Sequence, residues 1–125
     1  MAENSLLLVF SNPTEGREAA FEEWYENTHL ADVLRVPGVG AAQRYGIAPM
    51  ATPELDDAPV PAAPAHRHLA VYELDGDADE VMAEFLRRVG SGEMALDDSL
   101  DLASISLAAW RPSGRRRQAE PAIKA

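Results

Sequence analysis

The chain has 125 residues, 46% of them apolar, no cysteine and a formal net charge of −10. That length fits one domain with a real core, and the missing cysteine excludes a disulfide framework and a thiolate metal site. The acidic excess argues against nucleic acid, because the only basic cluster is Arg115, Arg116 and Arg117 in the tail.

Residues 5–10 (SLLLVF) form a continuous apolar run of strand length. Glu3 stands where a signal peptide would carry a basic residue, so this run reads as a first strand. No apolar run approaches the ~18–20 residues that span a bilayer, so no membrane association is expected. A reducing, cytoplasmic location fits the absence of cysteine.

Asn12, Pro13 and Thr14 are turn chemistry, and Asn12 or Thr14 can cap a helix. The spacing predicts that helix over residues 15–28, with Ala20, Phe21, Trp24, Tyr25 and Thr28 on its buried stripe. A bend near His29 and a second short turn over 31–35 are expected before Pro37 and Gly38 stop the helix.

Residues 39–48 alternate as a second strand, with Val39, Ala41, Gln43, Tyr45 and Ile47 on one face and Arg44 on the other. Residues 49–66 read as a mobile loop, since positions 49–65 hold five prolines and no apolar period. A third strand is expected over 68–74 and a second helix with the stripe Val81, Met82, Phe85, Leu86 and Val89. Asp77 or Asp79 can cap that helix. A short acidic segment over 93–101 leads to a fourth strand over 102–110. The folded domain is thus expected over 1–112, with residues 113–125 a disordered basic tail.

The order β-α-β, loop, β-α-β predicts an α+β fold of ferredoxin-like βαββαβ type, with a four-stranded antiparallel sheet and both helices on one face. The first strand is apolar on both sides. A bare second face would be a liability, so a homodimer packed sheet against sheet is expected.

The stretch over residues 12–45 resembles the EthD-like group of dimeric α/β-barrel proteins. The resemblance rests on Trp24 and Tyr25, on His29 shortly after them, and on the Pro37-Gly38 step into the second strand. The wider superfamily holds polyketide cyclases, cofactor-independent monooxygenases, muconolactone isomerases, dehydratases and haem-degrading proteins. The resemblance therefore implies a small cofactor-free enzyme acting on a hydrophobic, aromatic or polyketide-like molecule. Its alternative is a non-catalytic dimeric binding or accessory protein.

His29 is the leading catalytic candidate, because imidazole exchanges its proton near neutral pH. A helix end and Asp32 would favour its imidazolium form, and Tyr25 can donate a hydrogen bond to a substrate oxygen. The competing reading is a structural histidine bonded to the helix end. Trp24, Tyr72, Trp110 and Arg44 are candidate substrate contacts, each with a packing or ion-pair alternative. His66 and His68 form an H-x-H pair without an evident third ligand, so neither a metal nor a haem is expected.

Overall fold

The computed structural model describes residues 4–51, 57 and 59–121. The chain is an α+β fold with one four-stranded antiparallel sheet in the order β2-β3-β1-β4. The strands are β1 (Ser5–Ser11), β2 (Val39–Gly46), β3 (His68–Leu74) and β4 (Ser106–Trp110). Between β1 and β2 run α1 (Glu18–Trp24), a π-helical turn (Tyr25–His29) and α2 (Leu30–Leu34). Between β3 and β4 runs α3 (Ala78–Ser91). Placing β1 and β3 in the centre puts the most apolar strand where hydrogen bonds are satisfied on both edges.

Alternation divides the sheet into two faces. Leu7 and Val9 of β1 join Ala70, Tyr72 and Leu74 of β3 on the face under the helices. Phe21, Tyr25, Val33 and Val81 pack onto that face from above. Phe21 is fully buried, which contributes about 1.5–3 kcal/mol relative to an exposed ring. The opposite face carries Leu6, Leu8 and Phe10, paired with Trp110, Ala108 and Ser106 of β4 and with Glu73, Val71 and Leu69 of β3.

Four local expectations are corrected. The expected face of the second strand is split, because a bulge between Val39 and Ala41 changes the alternation. Val39 is buried under the helices, whereas Ala41, Gln43 and Tyr45 lie on the other face. The first helix starts at Glu18, later than residue 15, and no side chain caps it. Asn12 does different work: its side-chain amide donates to Ala65 O and accepts from Arg67 N–H, both at 2.9 Å. It thereby ties the end of the proline-rich segment to β1. The fourth strand begins only at Ser106, because Asp101 holds residues 103 and 104 in a turn.

α3 follows expectation more closely. Asp77 caps it by accepting hydrogen bonds from Asp79 N–H and Glu80 N–H, and Gly92 ends it in a left-handed conformation. Gly38 marks a close approach: a Cβ there would lie 2.6 Å from Val81 Cγ2, and its φ is +97°. Its carbonyl accepts from Asp75 N–H at 2.9 Å, so the turn before β2 is pinned against the start of α3.

Within the proline-rich segment, residues 52–56 and 58 fall outside the described residues, so the expected mobile loop is described only at its ends. Met50 and Val60 there are each 86% exposed. The tail carries no helix or strand as far as Pro121, and residues 122–125 lie outside the described part.

Candidate functional site

The site is built by the π-helical turn. Leu30 N–H donates to Tyr25 O, one residue further than an α-helical bond would reach. The widened turn absorbs an extra residue. Phe21, Tyr25, His29 and Val33 are consequently all buried at a uniform spacing of four. A plain α-helix would drift by about 40° over each such step. The expected stripe through Thr28 is corrected for this reason: Thr28 is exposed and His29 takes the buried position.

His29 and Tyr25 face a cavity of about 70 Å³ between helices and sheet. Its floor is Leu7, Val9 and Tyr72, and its helical walls include Val33, Val81 and Phe85. The wall is almost wholly carbon. The lining residues toward β2 are buried, whereas Met82, Phe85 and Ile105 are half-buried and Leu107 is 41% exposed. The cavity therefore approaches the surface between α3 and β4.

His29 is only 4% exposed, and its Nδ1 has no hydrogen-bond partner. Burial pulls its pKa from 6.5 down to about 4, against a smaller opposing pull from the Asp32 carboxylate. The imidazole is neutral at physiological pH. This corrects the expectation of a stabilised imidazolium: the ring sits within a continuous helical path and is desolvated, so it gains little from a helix end. Trp24 stacks on it at 4.6 Å between ring centres, Tyr25 meets it edge-on at 4.9 Å, and Phe85 lies at 6.3 Å.

Tyr25 and Tyr72 join across the core, hydroxyl to hydroxyl, at 3.3 Å. Burial raises the pKa of both phenols, so both stay protonated. The Arg44 guanidinium lies 5.1 Å from the Tyr25 ring centre and 5.9 Å from that of Phe21. Its other partner is Glu22, at 3.0 Å. Arg44 thus braces the aromatic layer from the side of β2 and does not line the cavity.

Comparison with solved structures places this geometry in context. A crystal structure of an EthD-like protein from Ralstonia eutropha JMP134 aligns over 93% of this chain and 97% of that one, with 18% identity and a TM-score of 0.58. The chain has the EthD-like fold. An ethyl tert-butyl ether D (EthD) family protein from Bacillus halodurans C-125 also aligns, over 89% of this chain and 99% of that one, at 16% identity and a TM-score of 0.48. No family model matches the sequence, and no curated protein matches it.

The remaining candidates fall in several places. Tyr72 lies on the cavity floor. Trp24 is behind His29, where it lines a shallow surface depression with Glu23, Asn27 and Asp97. Asp32 pairs with Arg35 at 2.9 Å and acts on His29 through its charge. Trp110 is 55% exposed and paired with Leu6 on the far face of the sheet. His66 meets the Ser104 carbonyl, and His68 meets Glu22 at 3.4 Å. Among the described residues no cluster of three or more metal-ligating side chains occurs.

Sequence reasoning overlooked the acidic segment after α3. Met94 and Leu100 are buried there, and Leu96 and Leu100 line the cavity. The signal was apolar residues spaced among Asp97, Asp98 and Asp101, and the carboxylates masked it. Pro13 and Leu100 form a bridge that docks this segment onto the end of β1.

Proposed function

We propose that this protein is a small EthD-like, cofactor-independent enzyme that acts on a hydrophobic, aromatic or polyketide-like molecule, with His29 moving a proton. The carrying observation is a buried, neutral imidazole with an unpartnered nitrogen, standing on the wall of an apolar cavity. Burying a polar atom without a partner costs about 1–3 kcal/mol, and such a cost is a mark of a functional group. Neutral imidazole accepts a proton from an activated C–H or O–H. Its conjugate acid, disfavoured by burial, returns that proton readily to a neighbouring atom. Cyclisation, dehydration, isomerisation and the proton steps of a cofactor-free oxygenation all use such a shuttle. Tyr25 and Tyr72 would hold the molecule against the ring.

The carbon-rich wall favours a second reading, capture of an apolar molecule without chemistry. Ring-proton spectra of His29 separate these from a purely structural histidine. Titration with neutral aromatic ketones and polyketide fragments should move the His29 and Tyr25 signals in a saturable way, and turnover would then select the enzyme. Shifts confined to the far face of the sheet would remove the cavity from either functional reading.

The same reading includes a two-fold homodimer through the sheet face opposite the helices. That face presents Leu6, Leu8, Phe10, Leu69 and Val71, flanked by Trp110 and by Tyr45, which is 48% exposed. Open apolar rows of this extent are a liability in a monomer. Sedimentation equilibrium over a concentration series should give twice the chain mass at micromolar concentration, and Leu8→Glu should shift the equilibrium to monomer. A wild-type monomer at high micromolar concentration would reject the dimer. Among the described residues no helix is long and apolar enough to cross a membrane.

A further inference from the structure

We propose that the cavity is a dry receptor for a neutral hydrocarbon group of its ligand, and that Met82 sets how large that group can be. This rests on the reading of the cavity as the ligand site and narrows the ligand class.

Dryness follows from the partners on offer. A volume of about 70 Å³ is large enough to hold water, so size does not keep it out. A buried water needs two to four polar partners, or roughly three on average. Almost none of the wall is polar, and the Tyr25 and Tyr72 hydroxyls are turned to each other. Apolar cavities with so few polar partners stay empty of water and take apolar guests.

Charge exclusion follows from the same wall. None of the described lining residues is a lysine, arginine, aspartate or glutamate, and His29 is neutral. A carboxylate or ammonium entering would lose its hydration without gaining a counter-charge. The hydrocarbon end of a ligand therefore enters. A ring that carries a carboxylate directly, as benzoate does, is excluded, because that charge cannot keep its water once the ring is inside.

Size is set where the wall can move. The deep lining, Val33, Val36, Val39 and Tyr72, is buried and branched or aromatic, so it is stiff. Met82 is half-buried on α3 and is the only methionine among the described lining residues. Its unbranched side chain has three rotatable bonds and adapts to a guest at little cost. The present volume is about half that of a 150 Å³ cavity known to take benzene, so a ring enters only when a side chain yields.

The test uses the full chain with methyl groups labelled for NMR, and xenon, benzene and benzoate as probes. Xenon should shift the methyl signals of Val33, Val81 and Leu100 in a saturable way, with no water-to-methyl transfer at those sites. Benzene should bind weakly to the wild type and at least tenfold more tightly to Met82→Ala. Benzoate should leave these methyls unmoved. Should Met82→Ala fail to fold, Met82→Val provides the enlarged cavity, with the same direction of change. Benzoate binding at these methyls or water in the cavity would each overturn the proposal. If xenon moves no cavity methyl in the wild type, the cavity is not a receptor and the proposed function falls with it. If xenon enters but the Met82 variants leave benzene affinity unchanged, only the role of Met82 fails.

Discussion

Replacing His29 with leucine should stabilise the protein by about 1 kcal/mol or more while abolishing proton transfer. The ring is only 4% exposed, and its Nδ1 has no partner. An unpaired buried polar atom costs about 1–3 kcal/mol, and an apolar side chain of similar volume removes that cost. Leucine keeps contact with Trp24, Tyr25 and Phe85, so lost packing offsets only part of the gain. Activity should move the other way, falling roughly 10²–10⁴-fold if His29 is the general acid or base. Urea unfolding at neutral pH measures the first effect, and a turnover assay with an identified ligand measures the second. A loss of more than about 2 kcal/mol in His29→Leu would mean that the ring makes an interaction essential to the fold. A gain in stability with full activity would leave the fold account intact and remove His29 from the chemistry.

Acid should weaken the protein through the same ring. In the unfolded chain His29 titrates at its ordinary 6.5, and in the folded protein burial pulls it to about 4. Between those values the unfolded state binds more protons, so stability rises with pH there. The contribution is fully present above about pH 6.5 and is lost as pH falls through 4. The interval corresponds to about 3 kcal/mol, at about 1.4 kcal/mol for each pH unit. Carboxylates also titrate in this range, so the comparison is with His29→Leu, which carries the same carboxylates. Stability should fall less between pH 7.5 and 4.5 in the variant, and the difference between the two proteins should change by about 2.5 kcal/mol. Parallel pH dependence in wild type and variant would show that His29 titrates at its ordinary value.

The sequence carried the architecture because its signals were periodic and mutually consistent. The run Leu6 to Phe10, the stripe Val81, Phe85 and Val89, and the Pro37-Gly38 turn each fix one element, and element order fixes the sheet. The site was partly readable. Tyr25, His29 and Tyr72 were singled out, and the structure places all three on one cavity. Their spatial relation was not readable, because it depends on the π-helical turn. No residue preference marks such a turn, and its one-residue shift buries His29 in place of Thr28. The protonation state of His29 was misjudged for the same reason. A ring at an open helix end would hold a proton, and a ring packed under Trp24 sheds it. The bulge between Val39 and Ala41 likewise has no local signature beyond Gly40. Arg44 was legible as a charged group on the strand face opposite Gln43 and Tyr45, but its place against the Tyr25 ring required the tertiary fold.

The account depends most on a neutral His29 with an unpartnered nitrogen, on a ring that lines the cavity. Long-range proton–nitrogen correlation of the His29 ring, followed from pH 7.5 to 3.5, observes this directly. The account predicts a neutral imidazole at pH 6, protonation centred near pH 4, and an Nδ1 signal that moves when a neutral cavity ligand binds. A ring already protonated at pH 6, or an Nδ1 held to a backbone carbonyl and unmoved by a cavity ligand, would contradict it.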